Sequence, residues 1–199
     1  MTEMKFFVYG SMVEGLVHFD KIKDFVTSTA NAEITGKAYR LKVGYPVVLE
    51  QGADKISGQL ITVSATDLLF QLLDAFHGFD GDQPTKSLYT RNQATVHCED
   101  GGTETAWCYF LNPSKLPKNA ELIIDGDWRR SLTERPALTE QLTERQRTYV
   151  QRLGASTGRE IIPIDLGLYR ELMNLEMIVD KGRRLALSKT GHEVFRYLS

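Results

Sequence analysis

Between Lys5 and Phe110 the sequence breaks into short runs rich in β-branched and aromatic residues: KFFVYG, ITGKAYRLK, YPVVLE, ISGQLITV, RNQATVHC and TAWCYFL, each bounded by Gly, Pro, Asn or Asp. Few of the stretches between them are helical in pattern. Alternating strand-helix units are thereby excluded, and the segment reads as mainly β. GADKISG has two glycines but no following Lys-Ser or Lys-Thr, and it reads as a turn between strands. EDGGTE reads as a hairpin turn. With Gly101 and Gly102 at its centre, Cys98 faces Thr105 and Cys108 faces Thr95, so the two cysteines are expected to stay unpaired thiols.

Two stretches interrupt the β pattern. LVHFDKIKDFV, within residues 15–26, is amphipathic, and residues 66–77 carry Leu68, Leu69, Leu72, Leu73 and Phe76 on one helical face. Ser64 and Asp67 stand at capping-box spacing, and Gly78 suits the left-handed residue that ends a helix. His77, four residues after Leu73, falls on the edge of the same apolar face.

Residues 111–135, with Pro113, Pro117, Lys115 and Lys118, read as a connector leaving the sheet, and beyond them the texture changes. One helical period runs from Pro136 through Leu138, Leu142, Tyr149, Val150 and Leu153 to Gly154. A second helix starts at Asp165 and carries Leu168, Leu172 and Leu175. MIVD, a turn at Lys181 and Gly182, and RLALS predict a short hairpin, and Ser188 is the expected cap of a last helix, KTGHEVFRYL. Charge shifts with texture: residues 1–127 hold 11 Lys+Arg against 17 Asp+Glu, whereas residues 128–199 hold 13 against 9. We therefore expect two domains, 1–127 and 128–199. The second has a winged-helix-like order, with Arg183 and Arg184 on the hairpin. Because Asp165, Glu171 and Glu176 on its second helix repel phosphates, the main reading is an accessory domain that packs on the first, covers a pocket or mediates dimerisation. Nucleic-acid binding is the secondary reading, and the oligomeric state leaves no mark in the sequence.

Composition limits the function classes. The 199 residues, 42% hydrophobic and 25% charged, suit an ordinary soluble protein. No apolar run approaches the roughly 20 residues of a membrane span. The amino terminus lacks the charged lead and cleavage site of a secretory signal, so the expected location is cytoplasmic. His18, His77, His97 and His192 are scattered without metal-ligand spacing. No GxSxG, HExxH or Walker loop occurs, and the KTG at Lys189–Gly191 has no SxxK companion.

The informative pieces are FVYGSM (Phe7 to Met12), GYP (Gly44 to Pro46), SGQL (Ser57 to Leu60), LLDAFHG (Leu72 to Gly78), LYTR (Leu88 to Arg91) and AWCYF (Ala106 to Phe110). In this order the chain resembles the γ-glutamylcyclotransferase-like superfamily, which includes γ-glutamylamine cyclotransferase and plant AIG2-like proteins, over about residues 4–112. The resemblance implies an α+β fold, a small mixed six-stranded β-barrel with flanking helices, to which the helical extension is added. It also implies a small-molecule γ-glutamyl substrate, cyclised to 5-oxoproline with release of its amine, and neither a metal nor an organic cofactor.

Such a reaction needs no protein nucleophile, because the substrate's own α-amine attacks its side-chain carbonyl. The protein must hold the α-carboxylate, polarise the carbonyl and take a proton. By the resemblance, Tyr9, Gly10, Ser11 and Met12 form the cradle, with Met12 where Leu is usual. Successive N–H groups at a glycine turn suit an anion. Tyr89, Arg91 and Tyr109 are expected to line the same pocket. The family's general base is the Glu of Leu-Asp-x-x-Glu-Gly, and His77 stands in its position. Three accounts follow. His77 is itself the base, since imidazole's ordinary pKa of about 6.5 suits proton transfer near neutrality. Alternatively Asp80, Asp82 or Glu50 does the work. In the third, the pocket binds a γ-glutamyl ligand without turning it over.

Overall fold

A computed structural model describes residues 3–64, 67–158 and 160–198. It separates into two compact units, residues 1–41 with 45–134, and residues 42–44 with 135–199.

The first unit contains β1 (Glu3–Val8), β2 (Val26–Arg40), β3 (Pro46–Ser64), α1 (Asp67–His77), β4 (Tyr89–Cys98), β5 (Thr103–Leu111), β6 (Glu121–Leu122) and α2 (Trp128–Glu134). The strands are ordered β3-β1-β5-β4-β2-β6, and β3 also pairs with β2. That extra pairing closes five strands into a barrel and leaves the two-residue β6 outside, on β2. β1 runs parallel to β5, and the other pairs are antiparallel, so the barrel is mixed and the unit is α+β. Alternation fills the interior: Phe7, Ala32, Ile34, Val48, Ile56, Val96 and Phe110 point into one core.

Several expectations change. GADKISG is not a turn between two strands but part of the continuous β3. The pairing jumps from Lys37↔Leu49 to Gly36↔Asp54, so the residues between bulge out and the strand bends without ending. Residues 15–26 form no α-helix. They make two 3-10 turns, Phe19–Lys21 and Lys23–Phe25, and Val26 already opens β2. The His18 N–H goes to the Ser11 carbonyl at 2.9 Å, so at this position no i to i−4 ladder starts. The β4-β5 register pairs Thr95 with Thr105 and Asn92 with Cys108, because the turn is the longer Cys98–Gly102 loop, in which Asp100 Oδ1 accepts the Gly102 N–H at 2.8 Å. Both cysteines are free thiols, and burial pushes the Cys108 thiol up. Of the first helix, α1 begins at Asp67; residues 65 and 66 lie outside the described residues.

The connector does not leave the barrel at once. It supplies β6, and then Ile123 and Trp128 enter the barrel core, where Trp128 Nε1 donates to the Ser57 carbonyl at 2.7 Å. The core thus extends past residue 127.

The second unit contains α3 (Leu138–Gln141), α4 (Glu144–Ala155), α5 (Leu166–Asn174), β7 (Ile178–Asp180), β8 (Leu185–Leu187) and α6 (Lys189–Leu198). The single helical period expected from 136 to 154 is broken at Leu142 and Thr143. Thr143 caps α4 in a capping box with Gln146, which fixes a fresh helix start. Asp165 caps α5, and the Ser188 hydroxyl accepts the Gly191 N–H at 3.0 Å at the start of α6. Among the described residues no helix is long and apolar enough to cross a membrane.

Candidate active site

The first component is the turn after β1. Tyr9 is extended, and Gly10–Met12 form a single 3-10 turn with Gly10 at φ +60°. A side chain at Gly10 would also start 3.0 Å from Pro46 Cγ, so backbone conformation and space both call for glycine, and the turn is packed on Pro46. The first N–H groups of such a turn have no acceptor within it. Ser11 and Met12 are buried. The Tyr9 hydroxyl donates to the Tyr109 carbonyl at 2.9 Å and accepts the Val48 N–H at 3.3 Å, so its donor is spent on the barrel. Downstream, the Glu14 N–H donates to Gln59 Oε1 at 2.8 Å and fixes the loop's exit.

The second component is the end of α1. Gly78 at φ +61° terminates the helix, and the Phe79 N–H returns to the Asp74 carbonyl at 2.9 Å. His77 Nδ1 lies 2.9 Å from the Leu73 carbonyl. A carbonyl only accepts, so Nδ1 carries the proton, and in the neutral ring Nε2 holds the lone pair. The ring is fixed by aromatic contacts. It stacks on Tyr109 with centroids 4.0 Å apart and planes 5° from parallel, and it meets Tyr89 edge-on at 5.1 Å and Phe76 at 5.0 Å.

Beneath the stack lies a charged pair. Arg91 donates to both oxygens of Asp74 at 2.9 and 2.8 Å, and the Tyr109 hydroxyl donates to Asp74 Oδ1 at 2.6 Å. The Arg91 guanidinium sits 4.6 Å from the Phe70 ring centroid and 5.0 Å from that of Phe79. Burial, and then the Asp74 carboxylate, push the Tyr109 phenol well above its ordinary range, so it stays protonated and remains a donor to Asp74.

The sequence-predicted residues therefore divide. Tyr9 and Tyr109 are joined by a hydrogen bond, and His77, Tyr89 and Tyr109 form one ring cluster. Gly10, Ser11 and Met12 connect to that cluster through His18, which donates its N–H to Ser11 and whose ring lies 4.9 Å from Phe76. Of the carboxylates weighed against His77, Asp80 accepts the Asp82 N–H at 2.9 Å, within its own loop, and Glu50 accepts from Asn92 at 2.7 Å. Arg91 serves Asp74. His18, 3% exposed beside the cradle, is not marked by any motif in the sequence, where it stands as a lone histidine without metal-ligand spacing. The signal for it was its place on the loop that follows the glycine turn.

A family profile described as gamma-glutamyl cyclotransferase, AIG2-like, matches residues 6–130. The gamma-L-glutamyl-butirosin B gamma-glutamyl cyclotransferase of Niallia circulans is 29% identical over 106 residues, covering 53% of this chain and 65% of that protein. The chain thus spans slightly less than two thirds of that relative's length. Among solved structures, the urea amidolyase of K. lactis is similar at a TM-score of 0.50, with 13% identity over 76% of this chain and 9% of its own, a likeness of fold alone. An AIG2-like protein from Mus musculus gives a TM-score of 0.44 and 18% identity over 59% of this chain and 82% of its own.

Proposed function

The chain belongs to the gamma-glutamyl cyclotransferase, AIG2-like family, and on that premise we propose that it cyclises a γ-glutamyl amine or peptide to 5-oxoproline with His77 as the general base. The observation that carries this reading is the ring cluster. His77, in the place of the family's Glu, is stacked on Tyr109, and its Nδ1 is turned to the Leu73 carbonyl, so Nε2 is the basic nitrogen of the neutral ring.

In the proposed reaction the glutamyl α-carboxylate is held by the Gly10 and Ser11 N–H groups of the turn after β1. His77 Nε2 takes a proton from the α-ammonium. The freed amine attacks the γ-carbonyl carbon, forming the ring C–N bond. The bond to the leaving amine breaks as that amine receives the proton from the imidazolium, and the second proton of the attacking nitrogen passes by way of His77 to the released amine, which departs as an ammonium while the lactam keeps one N–H. No net proton or electron is consumed. Tyr9 and Tyr109 act as supports, because their hydroxyl donors are spent on the Tyr109 carbonyl and on Asp74. Tyr89 forms a side wall.

A second reading, a pocket that binds a γ-glutamyl ligand without turnover, draws on the same histidine. A helix C-terminus favours imidazolium, and His77 stands in the last turn of α1. For the second unit we propose an accessory role in preference to nucleic-acid binding. Arg145 is paired with Asp165, and Arg184 of the hairpin with the Gly158 carbonyl, so these two positive charges are engaged within the unit.

The test is 5-oxoproline release from a panel of γ-glutamyl amino acids and amines. The catalytic reading expects turnover of at least one. If none is turned over and His77→Glu creates activity, the binding reading holds.

A further inference from the structure

His77 does not reach its place through its own helix alone. The surface it stacks on is the Tyr109 ring, and that ring is tied at two ends: by its hydroxyl to Asp74 Oδ1 at 2.6 Å, and by its main-chain carbonyl to the Tyr9 hydroxyl at 2.9 Å. Asp74 lies three residues before His77 on α1 and is gripped by Arg91 from β4 through both oxygens. The carboxylate, about a quarter exposed as is its arginine, meets the His77 ring cluster through the Tyr109 hydroxyl.

We propose that Asp74 is a positioning residue for the reaction, acting through Tyr109 to hold the His77 imidazole at the pocket. Carried on the same helix as His77, it pulls the Tyr109 ring flat beneath the imidazole, while Tyr109's carbonyl binds the first residue of the cradle. One tyrosine therefore sets the spacing between the proposed base and the proposed carboxylate site. Arg91 holds Asp74 in its orientation through both oxygens, with its own guanidinium covered by Phe70 and Phe79. The inference rests on His77 being the base, and it extends that reading to a residue that acts through Tyr109.

The test uses the full-length protein and two readouts. The ring C–H resonances of His77, assigned by their loss in His77→Gln, report the stack directly, because the Tyr109 ring current displaces them from the position of exposed histidines. Tyr109→Phe keeps the ring and removes only the hydroxyl, and Asp74→Ala removes the anchor. Each is expected to move the His77 resonances toward the exposed position and to lower kcat about tenfold with KM within about twofold. The double variant is expected to lose nothing further. Unchanged resonances in Tyr109→Phe overturn the proposal, as do single losses that simply add in the double variant. Tyr109→Phe decides the matter even if Asp74→Ala does not fold. If no γ-glutamyl compound is turned over by the wild type, the catalytic reading fails by itself. The resonance arm still judges the Asp74–Tyr109–His77 link: displacement in both variants supports it, and none overturns it.

Discussion

Replacing His77 by alanine is expected to lower kcat for 5-oxoproline release about 10²- to 10⁴-fold while leaving KM nearly unchanged. The pattern follows from what the side chain is proposed to do. It takes a proton as the ring closes, and it contributes little to holding the substrate, whose α-carboxylate is assigned to the turn after β1. Folding is expected to survive, because His77 is only partly buried and Gly78, which ends α1, is untouched. His77→Glu restores the family's carboxylate and is expected to retain much of the rate. Steady-state kinetics on the best substrate of the panel check both variants, and full activity in His77→Ala moves the base elsewhere.

Trp128→Ala is expected to destabilise the barrel unit by about 3–5 kcal/mol. The indole is 1% exposed, fills the barrel core beside Phe110 and Ile56, and donates from Nε1 to the Ser57 carbonyl at 2.7 Å. Alanine leaves a cavity and removes the hydrogen bond to the Ser57 carbonyl at once. The remaining tryptophan, Trp107 on β5, gives a fluorescence probe confined to the barrel, so a denaturant titration reads this unit separately from the second. A loss of unfolding free energy of less than about 1 kcal/mol would mean that Trp128 contributes little to the barrel core.

Those two residues also mark what the sequence made legible. Runs rich in β-branched and aromatic residues, bounded by Gly, Pro, Asn or Asp, identified β1, β4 and β5 almost as they fold. The order of short motifs around Tyr9, Tyr89 and His77 led to the family and to most of the candidate site. What stayed hidden depended on pairing over long distances. β3 looks like two strands because its bulged residues are polar and glycine-containing, and only the register with β2 joins its halves. LVHFDKIKDFV has a helical hydrophobic pattern, yet the Ser11 carbonyl takes the His18 N–H, and no local rule foretells that. Trp128 sits in a charged connector, WRRSLTE, whose composition is that of a surface helix. Its role emerges only when the barrel end it fills exists. Asp74 was read as part of a family pattern, whereas its contacts with Arg91 and Tyr109 come from three separate elements meeting.

The most direct test of His77 as the base compares two titrations of the wild-type protein. One follows the His77 ring nitrogens by two-bond proton–nitrogen NMR across pH; the other follows kcat/KM for 5-oxoproline release over the same range. With His77 as the base, the neutral ring carries its proton on Nδ1 and leaves Nε2 unprotonated, and the pH at which Nε2 loses its proton coincides with the acid limb of the rate profile. A neutral ring protonated on Nε2, or an acid limb that does not follow the His77 titration, would contradict that role.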